Sequence, residues 1–197
     1  MRVRLRQQGE DARLPRPAEG PELSTLSVAF FRNLNLGQRR SHSPTRPELL
    51  DAFERAGATS ATNFQVNGTI IFATDADPQE LADEAVRLLT PVCGYDDAVL
   101  VRPVPWILDL VLDTGPHAEV SFFDGPDPFP EELPWEVPDA GLTVVHADAL
   151  HAVSLNDLVK TSGATWALER RLGMPVTSRG VPTMARLQAR LLSLATD

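Results

Sequence analysis

The residues that follow the apolar segment 28–31 are of the types that bind anions. Arg32, Asn33, Asn35 and Gly37 come there in close succession. A guanidinium group donates two parallel hydrogen bonds to a carboxylate or phosphate, and a glycine lets backbone N–H groups approach the same ligand. A buried strand that ends in such residues holds them rigidly while the loop exposes them. The sequence therefore predicts candidate anion-binding residues at the end of this segment.

Residues from two other parts of the chain complete the candidate ligand-binding set. They are Gln65, in a predicted hairpin, and Arg179 and Thr183, near the predicted last helix. If these parts pack together, Arg32 and Arg179 converge on one cleft, where two cations without acids between them would favour a bound anion. The alternative is structural, with both arginines paired to acids of the fold and Asn35 capping its own loop. The sequence slightly favours this alternative.

His146 and His151 form a second candidate site. They flank a short connection, and a two-residue turn at Asp148 and Ala149 would place them opposite each other, close enough to share a metal ion. If one histidine were buried beside Asp148, the pair could act as acid and base. The available third ligands, none of which is indicated by its spacing, are His117, Asp124 and Asp127. Two exposed histidines without a ligand role are the favoured interpretation, so we predict no metal and no cofactor.

Familiar catalytic motifs are absent from the sequence. There is no glycine-rich phosphate loop, no Gly-x-Ser-x-Gly elbow and no His-Glu-x-x-His helix. The single cysteine, Cys93, forbids an internal disulfide, and its acidic neighbours argue against an activated thiolate. Trp135 lies in a proline-rich acidic segment and could close over an apolar ligand, although a core or lid position is the simplest interpretation of each tryptophan. The sequence therefore leaves any catalytic residue unassigned and the question of enzymatic activity open.

The net charge of −9 is concentrated in one part of the chain, because residues 103–159 contain many acids but no Lys or Arg. Affinity for nucleic acids comes mostly from clustered cations, so we expect no nucleic-acid partner. The apolar runs fall well short of the roughly 20 residues of a membrane span, and residues 1–23 lack the apolar centre of a signal peptide. We expect a cytoplasmic protein without a membrane partner, either a monomer or a homodimer.

The hydrophobic pattern of residues 24–102 predicts the order strand, helix, hairpin, helix, strand. The predicted elements cover residues 28–32, 47–56, 63–66, 69–72, 78–90 and 98–102. The hairpin turn is placed at Asn67 and Gly68, which both tolerate a positive φ. This order is that of a ferredoxin-like unit, in which the strands at 28–32 and 69–73 are interior and adjacent. Both faces of these strands are apolar, so the two helices should cover one face and the second half of the chain the other.

Residues 103–197 repeat much of this order. The predicted elements are a linking helix at 105–112, a strand at 118–123, a hairpin at 142–145 and 150–153, a helix at 164–172, a strand at 176–178 and a last helix from 182. Between 124 and 141, repeated prolines leave room for at most a short helix, at 128–133. We therefore predict an α+β fold of two ferredoxin-like (βαββαβ) halves with antiparallel sheets, at 24–102 and 103–197, plus a C-terminal helix. Residues 1–23 are predicted to be a loosely held leader.

Three separated motifs carry a family resemblance. Residues 28–37 are similar to Val-Ala-Leu-Leu-Arg-Gly-Ile-Asn-Val-Gly-Gly, residues 65–72 to Gln-Ser-Gly-Asn-Val-Val-Phe, and residues 168–173 to Leu-Glu-Arg-Arg-Leu-Gly. These are motifs of the bacterial family called domain of unknown function 1697 (DUF1697), which the chain resembles over about residues 26–192. The resemblance implies a two-part α+β fold and brings no established activity.

Some polar positions depart from the family pattern. Arg32, Asn35, Gly37, Arg179 and Thr183 keep the residue types of the family. The changed positions are Asn33, Gln38, Thr69 and residues 180–182. The resemblance therefore implies that this chain has lost a shared site or has changed its ligand.

The favoured function is that of a small-molecule binding protein, with anions among the candidate ligands and the site between the two halves. The first alternative is an enzyme of bacterial metabolism that transforms a small molecule with a modified family site. The second is a structural protein that dimerises through an apolar sheet face.

Overall fold

Two antiparallel sheets and five α-helices make up the part of the chain that the computed structural model describes, which is residues 23–112, 117–156 and 163–194. The strands are β1 (Leu26–Phe31), β2 (Ser60–Gln65), β3 (Thr69–Ala73), β4 (Val99–Pro103), β5 (Ala118–Phe122), β6 (Trp135–Val137), β7 (Leu142–Ala147), β8 (His151–Asn156) and β9 (Thr177–Gly180). The helices are α1 (Arg46–Ala56), α2 (Pro78–Cys93), α3 (Val104–Asp109), α4 (Ala164–Leu172) and α5 (Val181–Leu194). The predicted leader lies outside the described residues, except for Leu23.

The first sheet has the strand order β2-β3-β1-β4, which is the ferredoxin-like order. The prediction that β1 and β3 are interior neighbours is confirmed, with Val28 opposite Ile71. Helices α1 and α2 pack on one face of this sheet. The side chain of Asp77 accepts hydrogen bonds from the N–H groups of Gln79 and Glu80, so α2 begins where the sequence predicts. It continues past the predicted end to Cys93 and stops at Gly94 in the left-handed conformation.

The β2–β3 hairpin turns through a three-residue loop that ends at Gly68. Gln65 is paired with Thr69, and of the loop residues only Gly68 has a positive φ, of 66°. The predicted turn residues are therefore right, whereas the positive φ expected at Asn67 is not observed. A three-residue loop needs its left-handed residue only at the last position. A Cβ at Gly68 would lie 2.8 Å from the Cβ of Phe31, so this turn sits directly against the end of β1.

Replacing Gly68 with alanine is expected to destabilise the protein by about 2 kcal/mol, because left-handed strain and a side-chain clash add together. Gly57→Ala is the matched control, since Gly57 has a φ of 105° but no atom within 4 Å of an added Cβ. It should cost about 1 kcal/mol. Urea unfolding of both variants checks this, and equal losses would show that the close approach to β1 contributes nothing.

The second sheet has the strand order β6-β7-β8-β5-β9. Strands β7, β8, β5 and β9 repeat the ferredoxin-like order, and the α+β fold of two halves with a C-terminal helix is confirmed. The short helix considered at residues 128–133 does not form, because prolines at 128 and 130 interrupt any helical hydrogen bonding. The chain instead contributes the unpredicted edge strand β6, which pairs with β7.

The two sheets pack against each other through apolar side chains. The rings of Phe30 on β1 and Phe122 on β5 stack with their centroids 4.2 Å apart. Helices α3 and α5 complete the same core with Val104, Ile107 and Leu187. The prediction that the second half covers the free face of the first sheet is thus confirmed. This face is consequently not available for dimerisation, which removes the basis of the structural alternative.

Helix α3 is shorter than predicted and ends at Asp109, where Leu110 turns to an extended conformation. Among the described residues, no helix has both the length and the apolar character that crossing a membrane requires.

Candidate functional site

Arg32 lies at the end of β1 and is held by two carboxylates from different halves of the chain. Its Nη1 atom is 2.9 and 2.7 Å from the two carboxylate oxygens of Asp97. Its Nε and Nη2 atoms donate to the two oxygens of Glu169 on α4, at 2.5 and 3.0 Å. The hydrogen bond to Glu169 and the contact with Asp97 raise the pKa of Arg32 against the opposing effect of burial. Arg32 therefore joins the two halves through its ion pair with Glu169, while Asp97 holds the guanidinium group from within the first half.

The loop after β1 uses its polar groups to hold its own shape. Asn33, at a φ of 50°, donates a hydrogen bond of 2.9 Å to Asp97. The backbone N–H of Asn35 donates to Ser43, and the N–H of Gly37 donates to the carbonyl oxygen of Pro44. The side chains of Asn33 and Asn35 are exposed. The backbone of Asn35, rather than its side chain, makes the contact, so the capping role expected for Asn35 is not observed among the described residues.

Arg179 on β9 is buried and is surrounded by neutral acceptors. Its guanidinium group donates to the hydroxyl groups of Thr69 and Thr177 and to the carbonyl oxygens of Phe31, Asn67 and Ser178, at 2.8 to 3.2 Å. These bonds match the five N–H donors of an arginine side chain. Burial lowers the pKa of Arg179 to about 10. Arg179 thus ties β9 of the second half to β1 and the β2–β3 turn of the first.

Arg32 and Arg179 line one polar cleft of about 230 Å³ between the two halves, together with Asn33 and Asn67. The convergence of the two arginines thus occurs, but the cleft is not lined by Asn35, Gly37, Gln65 or Thr183. Thr183 accepts a hydrogen bond from Arg186 on α5 instead. The sequence indicated the two arginines but not their partners Asp97 and Glu169, which carry no local signal of this pairing. Anion binding in this cleft stays a prediction.

The second candidate site is the tip of the β7–β8 hairpin, which places His146, Asp148 and His151 together. The Nδ1 atom of His151 is 2.9 Å from Oδ1 of Asp148, and the centroids of the two imidazole rings are 5.0 Å apart. The connection is three residues long, so His146 pairs across the strands with Val153 rather than with His151. His151 is only 7% exposed, and the expectation of two exposed histidines is therefore wrong for this residue.

Burial and hydrogen bonding set the charge states of this hairpin. Burial lowers the pKa of His151, although the contact with Asp148 opposes this shift. Burial alone would raise the pKa of Asp148, but the N–H groups of Leu150 and His151 donate to its carboxylate, and the pKa is lowered overall. The two lowered pKa values favour a neutral His151 that shares a hydrogen bond with an ionised Asp148.

A mostly apolar pocket of about 460 Å³ opens between α3 and this hairpin. Its lining residues are Trp106, Asp109, Leu110, Val111, His146, His151 and Val153. The ring of Trp106 stands edge-on to His151, with centroids 5.2 Å apart and an interplanar angle of 89°. The sequence did not single out Trp106 as a pocket residue, because its position depends on how α3 packs over the second sheet.

Arg102, near the end of β4, contacts both the β7–β8 hairpin turn and Trp106. It is buried, forms an ion pair of 3.0 Å with Asp124 and donates to the carbonyl oxygen of Leu150 in the hairpin turn. Its guanidinium carbon lies 5.7 Å from the centroid of the Trp106 ring. Trp135, considered as a lid over a ligand, packs instead near Phe129, in the cluster on the opposite face of the second sheet.

The family model of the Protein of unknown function (DUF1697) matches residues 25–119 of the chain. Over these residues the chain belongs to the DUF1697 family. The matched part contains Arg32, Asp97 and Trp106, whereas Arg179 and His151 lie beyond it. Family membership therefore applies to β1–β4, with their helices, and to the start of the second half.

One solved structure with a similar fold is that of the conserved bacterial protein SP0830 from Streptococcus pneumoniae. It has a TM-score of 0.55 and 11% sequence identity, over 85% of this chain and 98% of that one. At this identity the likeness concerns the fold alone. No curated protein matches this chain.

Proposed function

We propose that this DUF1697 protein binds a small organic molecule in the pocket between α3 and the β7–β8 hairpin. The observation that carries the proposal is the buried His151, fixed by Asp148 in the wall of an apolar pocket of about 460 Å³. Ligand pockets usually measure about 300–1,000 Å³ and combine an apolar lining with a few fixed polar groups. This pocket has both properties.

The lining indicates the chemical class of the ligand. Trp106, Leu110 and Val153 offer apolar surface, and the two histidines offer hydrogen-bonding groups on the hairpin side. The exposed Asp109 adds a carboxylate at the α3 side. A ligand with an aromatic or aliphatic body and one polar group matches this division. The body would pack against Trp106, and the polar group would contact His151.

A second candidate ligand site is the polar cleft that Arg32 and Arg179 line. Its support is the buried positive charge of Arg179, which has no carboxylate partner among the described residues. Arg32, however, already holds two carboxylates, so an anion in this cleft would have to compete with Asp97 and Glu169. For this reason the hairpin pocket is the favoured site.

The pocket can be tested with 1-anilinonaphthalene-8-sulfonate, an aromatic probe with one polar group. Bound probe should gain fluorescence and accept excitation energy from Trp106. Trp106→Phe should remove most of this energy transfer, whereas Trp166→Phe, at a 43% exposed position on α4, should retain it. Equal transfer in both variants would place the probe elsewhere.

Substitutions that fill the pocket test directly whether the probe binds there. Val153→Phe and Leu110→Phe place a larger side chain in the pocket from opposite walls. Each should weaken probe affinity about tenfold or more, because the new ring occupies the volume that the probe needs. Thermal melts and circular dichroism verify that each variant is folded. Unchanged affinity in a folded variant would overturn the proposal, and the two positions keep the test decisive if one variant fails to fold.

A further inference from the structure

We propose that the tip of the β7–β8 hairpin binds a divalent transition-metal ion, with His146, Asp148 and His151 as its three protein ligands. This inference goes beyond the proposed function, because binding of the ion requires no organic molecule. It also departs from the expectation, based on sequence, that the chain has no metal site.

The distances between the ligand atoms suit one shared ion. One ligand atom from each of the three residues lies within 4.8 Å of the other two. In addition, Nδ1 of His151 and Oδ1 of Asp148 are 2.9 Å apart. Ligand atoms about 2.0–2.1 Å from a tetrahedral ion are about 3.4 Å from each other. Small side-chain rotations, without movement of the strands, would therefore complete the coordination.

Two of the three ligands are already held in position. The carboxylate of Asp148 accepts hydrogen bonds from the backbone N–H groups of Leu150 and His151, at 2.7 and 2.8 Å. His151 is packed against Trp106 and lies on β8, which is bonded to β5 and β7. Fixed ligands lose little conformational entropy on binding, and contacts that orient the ligands strengthen metal sites.

His146 distinguishes a metal site from an ordinary turn. The contact between His151 and Asp148 could by itself stabilise the turn, but His146 has no part in it. Among the described residues, the imidazole of His146 has no hydrogen-bond partner, although its ring lies next to that of His151. The exposed side chain is free to rotate toward the other two ligands. Its position therefore suits a metal ligand, whereas the stability of the turn does not require it.

The ligand types define the class of metal. Two imidazole groups and one carboxylate suit zinc, copper, nickel, cobalt or iron, whereas calcium and magnesium prefer sets made of oxygen ligands. Three protein ligands leave a coordination position open at a four-coordinate ion. Because both histidines line the apolar pocket, the ion would be bound next to the pocket.

Metal binding can be measured on full-length protein without a histidine tag, after treatment with a chelator. Titration calorimetry with Zn²⁺ should give one site per chain, and Co²⁺ should produce the visible absorption of a four-coordinate complex. His146→Ala should weaken Zn²⁺ affinity about tenfold or more, with little effect on folding because the side chain is exposed. His117→Ala is the matched control, since this exposed histidine lies outside the cluster and should change nothing.

The result that overturns the proposal is equal Zn²⁺ affinity in His146→Ala and the unmodified protein, or no binding by the unmodified protein. An equal loss in His117→Ala would show nonspecific binding to exposed histidines, which also overturns it. The outcome is separable from that of the organic ligand. Val153→Phe should lose the anilinonaphthalene probe and keep Zn²⁺, so a failed metal site and a failed pocket give different results.

Discussion

Replacing Arg179 with methionine is expected to lower the free energy of unfolding by about 4 kcal/mol. The change relieves the desolvation of a buried charge, which is the effect that lowers the pKa of Arg179 to about 10. It also leaves the carbonyl oxygens of Phe31, Asn67 and Ser178 without this donor. Each buried polar group that loses its partner costs about 1–3 kcal/mol, so the second effect dominates. Urea unfolding of the variant gives the measurement.

Two further variants sharpen the test of Arg179. Arg179→Lys keeps the charge but offers fewer donors in a different geometry, so it should restore less than half of the lost stability. Arg190→Met, at an exposed position of α5, should change stability by less than about 0.5 kcal/mol. A loss of under 1 kcal/mol in Arg179→Met would mean that the acceptors around it are rehydrated and that Arg179 does not fasten the halves.

Replacing Arg32 with methionine is expected to lower the free energy of unfolding by about 3 kcal/mol, near the lower end of the range for a broken buried ion pair. The reason for the lower value is solvent screening, because the side chains of Arg32, Asp97 and Glu169 are 26%, 26% and 22% exposed. The substitution leaves two carboxylates facing each other. Adding Glu169→Gln should therefore recover part of the loss, and a double-mutant cycle by urea unfolding measures this coupling.

The same variant separates the structural role of Arg32 from an anion site. If the polar cleft binds anions, Arg32→Met should leave stability nearly unchanged and weaken anion affinity by about 1.5–3 kcal/mol. Thermal melts with and without sulfate or phosphate decide between the two results. A large drop in melting temperature without an anion effect would remove the cleft as a ligand site and leave Arg32 as a link between the halves.

The two arginines together explain why the favoured ligand site is not the one that the sequence indicated first. Arg32 and Arg179 reach from one half of the chain to the other and are satisfied by protein groups there. Of the polar residues at the end of β1, Arg32 therefore connects the two halves, whereas the others hold the loop. The hairpin pocket, in contrast, combines free volume with fixed polar side chains, which is the property that ligand binding requires.

Much of the fold was predictable because its signals are local. The cap at Asp77, the turn at Gly68 and the helix end at Gly173 each depend on the conformational preferences of one or two residues. Apolar runs on both faces of β1 and β3 required a second covering layer, and the second sheet provides it. Strand β6 escaped prediction because it has only three residues and lies between prolines, which are unusual in strands.

The sequence by itself determined the element order, the α+β class and the family motifs, since hydrophobic period and capping chemistry act over short stretches of chain. Only the tertiary structure decided which groups meet. Arg32 could pair with any of the 27 acids, and the position of α4 relative to the end of β1 selected Glu169. Likewise, His151 is buried because Trp106 of α3 covers it. The charge and burial of a site depend on contacts between distant segments, which residue type and spacing do not encode.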